Sequence, residues 1–343
     1  MAAPPTDVLL TWAVSDPEWD VIGREWPAVN AVVADLQDPS ALERQVECAE
    51  VVVGLMRAVT PRMLEAAARL RLVHVLGHGV DGLLTAEAVA ILEARNVVVA
   101  RANPGATAIA EYVIMAMVAL SRRLVLVHES LAQRGSWSPE LRKRRPFGSL
   151  GGELSGATVG IVGFGGIGQE AARRALAFGM RVVTYTRRPD VVAQSGVPVH
   201  RAYGPGDHDD FFREVDHLVL AAPLTDTTRG LVDRDSLALM KHGSYLVNVS
   251  RGPMLDEQAV YEALESGRLA GAALDVWASE ESGRQSGYPA ALPLHQFNVL
   301  MTPHYAALTR EARERALSVV GENVRRLQQD EPLLNPVDLH RGY

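Results

Sequence analysis

Short runs of apolar, mostly β-branched residues alternate with amphipathic stretches along most of the chain. In the first third of the chain these runs cover residues 7–14, 51–56, 72–79 and 97–103, and their length and composition predict strands. Between them, PRMLEAAARL and TAEAVAILEARN have the apolar spacing of helices. Strands that alternate with helices predict a parallel sheet with helices on both faces.

A second series of the same kind begins at Thr158. Its nearly continuous apolar runs predict strands buried on both faces, and they cover residues 158–165, 181–186, 217–223, 243–250, 272–277 and 297–303. A helical pattern from about residue 108 to 127 and a polar, basic segment at 132–153 separate the two series, and a last helical pattern covers about 309–329. The predicted fold class is α/β, with two doubly wound parallel-sheet domains and a ligand cleft at the strand ends.

Composition and charge exclude several classes of function. The net charge of −7 argues against nucleic-acid binding, which needs a basic face. The single cysteine, Cys48, excludes a disulfide framework and a cysteine-based zinc site within one chain, so we expect no metal. It also fits a reducing compartment, and the first residues lack the basic start of a signal peptide, so we expect a cytoplasmic location. The longest apolar stretch is interrupted at residues 121–123, so no membrane span is expected.

A glycine-rich turn follows the first strand of the second series and opens a helix. Gly163 permits a tight turn, Gly165 lets the backbone approach a pyrophosphate, and Gly168 allows close packing of helix and strand. Gly166 belongs to the same predicted cofactor-binding turn. Ile167 completes this motif. The N–H groups at the start of the helix then face the phosphates, so the turn predicts a dinucleotide site.

Several segments together resemble the D-isomer-specific 2-hydroxyacid dehydrogenases, a family that includes glyoxylate/hydroxypyruvate reductases, D-lactate dehydrogenases and phosphoglycerate dehydrogenases. They are LGHGVDGL, IAEYVIMAMVALSRRL, ELSGATVGIVGFGGIG, APLTDTTRGLVDRDSLALMKHGSYLVNVSRGPMLDE and GAALDVWASEE with FNVLMTPHYA. The resemblance implies a Rossmann cofactor domain at 107–304, inserted into a flavodoxin-like substrate domain at 1–106 and 305–343. It also implies a homodimer.

Three side chains at predicted strand ends carry the expected chemistry. Arg251 can bind a substrate carboxylate through two parallel hydrogen bonds and polarise the neighbouring keto oxygen. His304 can donate a proton to the alkoxide that forms on reduction. The resemblance implies that a carboxylate five residues after Asp275 tunes the histidine, which selects Glu280. Glu281 stands where the family usually has proline, so a register shifted by one residue stays open.

The resemblance implies further contacts with the cofactor and the substrate. Asp275 would face the nicotinamide carboxamide. The remaining implied cofactor-binding residues belong to the segments after two neighbouring strands, namely Ala222, Pro223, Thr228 and Val249. The backbone N–H groups of His78 and Gly79 would bind the substrate carboxylate. Apart from the resemblance, Arg57 stands at another predicted strand end of the first series, where it can contact the far end of the substrate; the alternative is a solvated strand-end cation. The imidazole of His78 would either contact the substrate side chain or cover the cleft.

The cofactor preference is predicted from the segment VVTYTRRPD. Thr186 stands close to the position where an acid usually holds the ribose 2′-hydroxyl of NAD. A carboxylate would repel a 2′-phosphate, whereas Arg187 and Arg188 provide donors suited to one. The segment therefore predicts that NADP(H) is preferred and that NAD(H) is possible; the alternative is that the arginines are solvated loop cations.

The predicted function is reduction of a small 2-keto acid to the 2-hydroxy acid. Two alternatives stay open. A phosphite-type dehydrogenase of the same superfamily shares the arginine, glutamate and histidine, whereas a formate-type enzyme usually has glutamine in place of Glu280. A nucleotide-sensing, corepressor-like interaction protein would use the same fold without needing turnover.

Overall fold

The computed structural model describes residues 5–54, 59–80, 82–135, 151–280 and 287–341. The chain divides into two compact units, the first formed by Met1–Gly105 with Leu308–Tyr343 and the second by Ala106–Ala307. The resemblance implied boundaries after residues 106 and 304. The predicted segment at 132–153 lies largely outside the described residues.

The secondary structure follows the predicted alternation of strands and helices. In chain order the strands are β1 (Thr6–Leu10), β2 (Val29–Val33), β3 (Val51–Gly54), β4 (Leu72–Val75), β5 (Val98–Arg101), β6 (Thr158–Val162), β7 (Arg181–Tyr185), β8 (Arg201–Tyr203), β9 (His217–Leu220), β10 (Ser244–Asn248), β11 (Leu269–Leu274) and β12 (Val299–Met301). The α-helices are α1 (Asp16–Glu25), α2 (Pro39–Cys48), α3 (Pro61–Ala66), α4 (Ala86–Ala94), α5 (Ala106–Ser121), α6 (Leu124–Arg134), α7 (Gly166–Ala177), α8 (His208–Glu214), α9 (Arg234–Leu239), α10 (Glu257–Glu265) and α11 (Arg310–Gln328).

The first unit has a five-stranded parallel sheet in the order β2-β1-β3-β4-β5, which is the flavodoxin-like order. Buried valine and leucine side chains of β1, β3 and β4 point to both faces of this sheet and form two apolar layers. Helix α11 packs against α1 over one of these layers, where Trp26 donates its indole N–H to the carbonyl of Leu317 (2.8 Å).

The second unit has a seven-stranded parallel sheet in the order β12-β11-β10-β9-β6-β7-β8. Read from the other edge, this is the Rossmann order with one further strand at the end. Apolar layers cover both faces of the sheet, one formed with α5 and α7 and the other with α8 and α10. The predicted fold class, with two doubly wound parallel sheets, is therefore confirmed.

The single long helix predicted at about 108–127 is wrong, because the structure has two helices there. The apolar pattern at 108–127 predicted a single helix, but α5 ends at Ser121 and α6 starts at Leu124. Arg123 between them has a left-handed backbone (φ 53°), and the N–H of Gly152 donates to the carbonyl of Ser121 (2.9 Å). The returning chain thus satisfies one of the carbonyls that a helix end leaves open.

None of the helices in the described ranges combines the length and the apolar character that crossing a membrane requires.

Candidate active site

The sheet of the second unit brings several candidate residues to one edge. Asn248, Leu274 and Met301 lie side by side in register at the ends of β10, β11 and β12. The chain that leaves these strands carries Arg251, Glu280 and His304 respectively. Parallel strands end at the same edge of a sheet, so residues that are far apart in sequence reach one region.

The glycine turn between β6 and α7 is built by close backbone contacts. Gly163 has a positive φ of 89°, and a Cβ there would lie 2.8 Å from the backbone of Ala222. A Cβ on Gly168 would lie 2.2 Å from the carbonyl oxygen of Gly163, whereas a Cβ on Gly165 would meet nothing within 4 Å. The turn is therefore closed toward the sheet and open at the first residue before the helix, which fits the approach of a pyrophosphate.

Other predicted cofactor residues line the same edge of the sheet. The Thr228 hydroxyl donates to the carbonyl of Pro223 (2.8 Å) and accepts from the N–H of Thr225 (2.8 Å), so it closes the loop after β9. Ala222 and Ile167 are half-buried, Gly166 is exposed, and Val249 is buried with its N–H donating to Leu220 (3.3 Å).

Thr186 directly follows β7 and extends its pairing, since its N–H donates to the carbonyl of Tyr203 (2.9 Å). Its hydroxyl accepts from the N–H of Arg188 (3.5 Å), which folds the loop back on the strand end. The side chains of Arg187 and Arg188 are exposed. Two guanidinium groups thus stand on a tethered loop at the carboxyl end of β7, the strand next to the edge strand β8.

Asp275 has contacts that sequence reasoning missed. It is 2% exposed, and its carboxylate accepts from the Thr302 hydroxyl (2.5 Å) and from the N–H groups of Tyr305 (2.7 Å) and Ala306 (3.0 Å). Its backbone carbonyl accepts from the N–H of His304 (2.7 Å). The aspartate therefore holds the whole segment that carries the candidate histidine.

His304 has a left-handed backbone (φ 56°), which is uncommon for a residue other than glycine. Its Nδ1 lies 2.8 Å from Glu280 Oε2; a carboxylate only accepts, so Nδ1 donates. The other oxygen of Glu280 accepts from the N–H of Trp277 (2.8 Å). The hydrogen bond to Glu280 thereby orients the imidazole, and the side chain of His304 is 49% exposed.

Arg251 lies in a turn that is fixed from two sides. The Asn248 side chain donates to the carbonyl of Arg251 (3.0 Å) and accepts from the N–H of Ser250 (3.0 Å). A Cβ on Gly252 would lie 2.1 Å from the backbone carbon of Trp277, so the turn packs directly on the segment that leads to Glu280. Arg251 is half-buried, and its guanidinium donates to the carbonyl of Ser250 (2.7 Å).

The predicted substrate loop belongs to the first unit. His78 accepts at Nε2 from the N–H of Gly105 (3.0 Å), and its carbonyl accepts from the guanidinium of Arg101 (2.9 Å). The imidazole of His78 therefore holds Gly105, the last residue of the first unit's N-terminal segment. The predicted alternatives, a contact with the substrate side chain or a cover over the cleft, did not include this role. Gly79 is half-buried, and Arg57 lies outside the described residues.

Within the described ranges, no three histidine, cysteine, aspartate or glutamate side chains come together as metal ligands.

Comparison with known proteins shows the family to which the chain belongs. The profile of the family described as "D-isomer specific 2-hydroxyacid dehydrogenase, NAD binding domain" matches residues 114–306. The chain belongs to the D-isomer specific 2-hydroxyacid dehydrogenase family, as the sequence motifs predicted. This family is a class of nicotinamide-dependent oxidoreductases.

Individual relatives cover most of the chain. A hydroxypyruvate reductase of Thermotoga maritima is 35% identical over 77% of this chain and 80% of its own length. A D-3-phosphoglycerate dehydrogenase of Methanocaldococcus jannaschii is 34% identical over 90% of this chain, which spans only 55% of that relative. A D-isomer specific 2-hydroxyacid dehydrogenase of Xanthobacter autotrophicus, solved with NADPH and MES, is 26% identical with a TM-score of 0.76 over 99% of this chain and 100% of its own.

The glycine turn gives a test of its packing. Gly168→Ala should lower the free energy of unfolding by about 1–3 kcal/mol, because the added carbon meets backbone that cannot move aside. Gly165→Ala is the matched control, since its Cβ enters open space. Thermal unfolding of both variants measures the difference, and an equal loss in the two would contradict this packing.

Proposed function

We propose that this protein is an NADPH-dependent reductase of small 2-keto acids, that is, a D-2-hydroxyacid dehydrogenase working between keto acid and hydroxy acid. The observation that carries the proposal is the hydrogen-bonded pair of His304, which follows β12, and Glu280, which follows the adjacent β11, beside Arg251, which follows the next strand, β10. In this proposal the second unit binds the cofactor, and the first unit, with His78, Gly79 and Arg57, binds the rest of the substrate.

Arg251 suits the recognition of a 2-keto acid. Its guanidinium offers planar, paired donors that match a carboxylate. The turn that carries it is fixed by Asn248 and by the contact of Gly252 with Trp277, so the backbone from which the guanidinium extends is preorganised. One guanidinium can thus hold the substrate carboxylate and polarise the adjoining carbonyl oxygen, which accumulates negative charge during reduction.

His304 suits the proton transfer that completes the reduction. Glu280 accepts a hydrogen bond from the Nδ1–H group, which fixes the tautomer and the ring orientation and leaves Nε2 to exchange a proton with the substrate oxygen. In the oxidative direction the same nitrogen would accept the proton of the hydroxyl group. A nicotinamide dinucleotide held at the glycine turn and by the residues along the same edge would supply or accept the hydride. The carboxylate of Asp275 would accept from the nicotinamide carboxamide only with the oxygen lone pairs that its contacts with Thr302, Tyr305 and Ala306 leave unused.

The choice of NADPH rests on the loop after β7. Thr186 presents no carboxylate to repel a 2′-phosphate, and Arg187 and Arg188 lie exposed on a loop tied to the strand end. The family also contains a relative solved in complex with NADPH.

A homodimer is part of the proposal. Leu124, Val127 and Leu131 are 55%, 44% and 45% exposed, and their spacing puts them on one face of α6. Met115 on α5 is 45% exposed as well. Exposed apolar faces of this kind usually mark a contact with another protein surface, and a second copy is the occupant proposed here.

The chemistry is tested by following NADPH absorbance with glyoxylate, hydroxypyruvate, pyruvate and bulkier keto acids. His304→Ala should lower turnover on the best substrate by about 10²–10⁴-fold through lost proton transfer. Arg251→Ala should impair both KM and kcat, because it contacts ground state and transition state alike. His242→Ala, an exposed histidine before β10, is the control and should keep full activity. Near wild-type activity of either site variant would refute the assignment, and turnover of phosphite alone would favour the phosphite-type alternative.

The cofactor preference is tested by kcat/KM for NADPH and for NADH at fixed ionic strength. Each charge-assisted hydrogen bond to the 2′-phosphate is worth roughly 1.5–3 kcal/mol, so the wild type should prefer NADPH by about 10²-fold. Thr186→Asp combined with Arg187→Ala and Arg188→Ala should move the preference toward NADH. Arg181→Ala, at the opposite end of β7, removes a charge away from the loop and should change nothing. A wild type that prefers NADH would overturn this part of the proposal.

The dimer is tested by light scattering over a range of concentrations. The double variant Val127→Glu with Leu131→Glu should dissociate, because it places charges on the apolar face of α6. Phe178→Glu, which charges another exposed apolar position on the same unit, should remain dimeric. A wild type that is monomeric at all concentrations would exclude the dimer.

A further inference from the structure

Two hydroxyl groups connect helix α5 to the segment that carries His304. The Tyr112 hydroxyl lies 2.7 Å from Thr302 Oγ1, and Thr302 Oγ1 donates to Asp275 (2.5 Å). Tyr112 lies on α5 and is 8% exposed, so its hydroxyl is largely shielded from water. Thr302 directly precedes Pro303, two residues before His304.

The direction of these hydrogen bonds follows from the chemistry of the groups. A hydroxyl has one proton, and Thr302 gives its proton to a carboxylate that can only accept. Tyr112 must therefore donate to Thr302. Burial raises the pKa of Tyr112 to about 12, so its hydroxyl keeps the proton throughout the neutral range.

The chain of hydroxyls ends on the group that holds the histidine. Asp275 accepts from Thr302, Tyr305 and Ala306 through its carboxylate and from the N–H of His304 through its carbonyl. These bonds span the one residue of the segment with a left-handed backbone, His304 (φ 56°). Such a backbone persists only where the surroundings determine it, so loosening the carboxylate should loosen the histidine.

We propose that Tyr112 is a positioning residue for the reaction, acting on His304 through Thr302 and Asp275. By donating to Thr302, the tyrosine directs the threonine proton at the carboxylate and keeps that carboxylate in the place where it holds residues 304–306. The effect of Tyr112 on turnover rests on the proposed function, whereas its effect on the position of residues 304–306 does not.

The chain offers a matched control for the tyrosine. Tyr203 is also buried (2% exposed), and its hydroxyl donates to the carboxylate of Glu214. It lies on β8, at the edge of the sheet opposite to β12. Tyr112→Phe and Tyr203→Phe thus each remove one buried hydroxyl and keep the ring, but only the first change touches the proposed connection.

Hydrogen exchange in the protein without substrate or cofactor tests the positioning directly. In Tyr112→Phe the amides of residues 304–306 should exchange about threefold to tenfold faster, which is the expected effect of one lost hydrogen bond. Thr302→Val should do the same, and the conservative Thr302→Ser should stay near wild type. Unchanged exchange in Tyr112→Phe, or equal acceleration in Tyr203→Phe, would overturn the proposal.

Steady-state kinetics with the best keto acid give the second readout. Tyr112→Phe should lower kcat about threefold to tenfold and leave the KM of the keto acid nearly unchanged, because Arg251 lies on a different strand end. Faster exchange without any loss of kcat would contradict a positioning role. If the wild type reduced no keto acid at all, the proposed function would fail, while the exchange experiment would still decide whether Tyr112 holds the segment.

Discussion

The buried carboxylate of Asp275 needs hydrogen-bond donors, because a charge removed from water is costly unless it is paired. It receives them from the Thr302 hydroxyl and from the N–H groups of Tyr305 and Ala306. All three donors belong to the short segment after β12, so satisfying this one carboxylate fixes where His304 lies. The histidine's left-handed backbone and its contact with Glu280 follow from that anchoring.

Close backbone contacts bring the other parts of the site to the same edge. Gly252 lies against Trp277 so tightly that a single added carbon would overlap the backbone, and Gly168 lies equally close to Gly163. The first contact joins the Arg251 turn to the segment of Glu280, and the second keeps the glycine turn pressed against its own helix. Loops at strand ends are usually the variable part of such folds, but here direct contacts between backbones limit their freedom.

The sequence alone predicted the fold class well, because central parallel strands are continuous apolar runs. It missed β2 and β8, which are short edge strands; β2 alternates half-buried and exposed residues and β8 has three residues. The break between α5 and α6 depends on a hydrogen bond from Gly152, which no local pattern reveals. The motifs predicted Arg251, Glu280 and His304, whereas the contact of Tyr112 with Thr302 joins positions 190 residues apart and is created only by the packing of α5 on the sheet.

The central claim is that an anchored His304 faces the oxygen of a 2-keto acid whose carboxylate is held by Arg251. A crystal structure of the protein with NADPH and oxamate, a keto acid analogue that cannot be reduced, tests this most directly. We predict that the oxamate carboxylate contacts the Arg251 guanidinium. The amide oxygen of oxamate, which takes the place of the keto oxygen, should lie within hydrogen-bond distance of His304 Nε2. Oxamate bound away from Arg251, or a His304 turned from it toward solvent, would contradict the account.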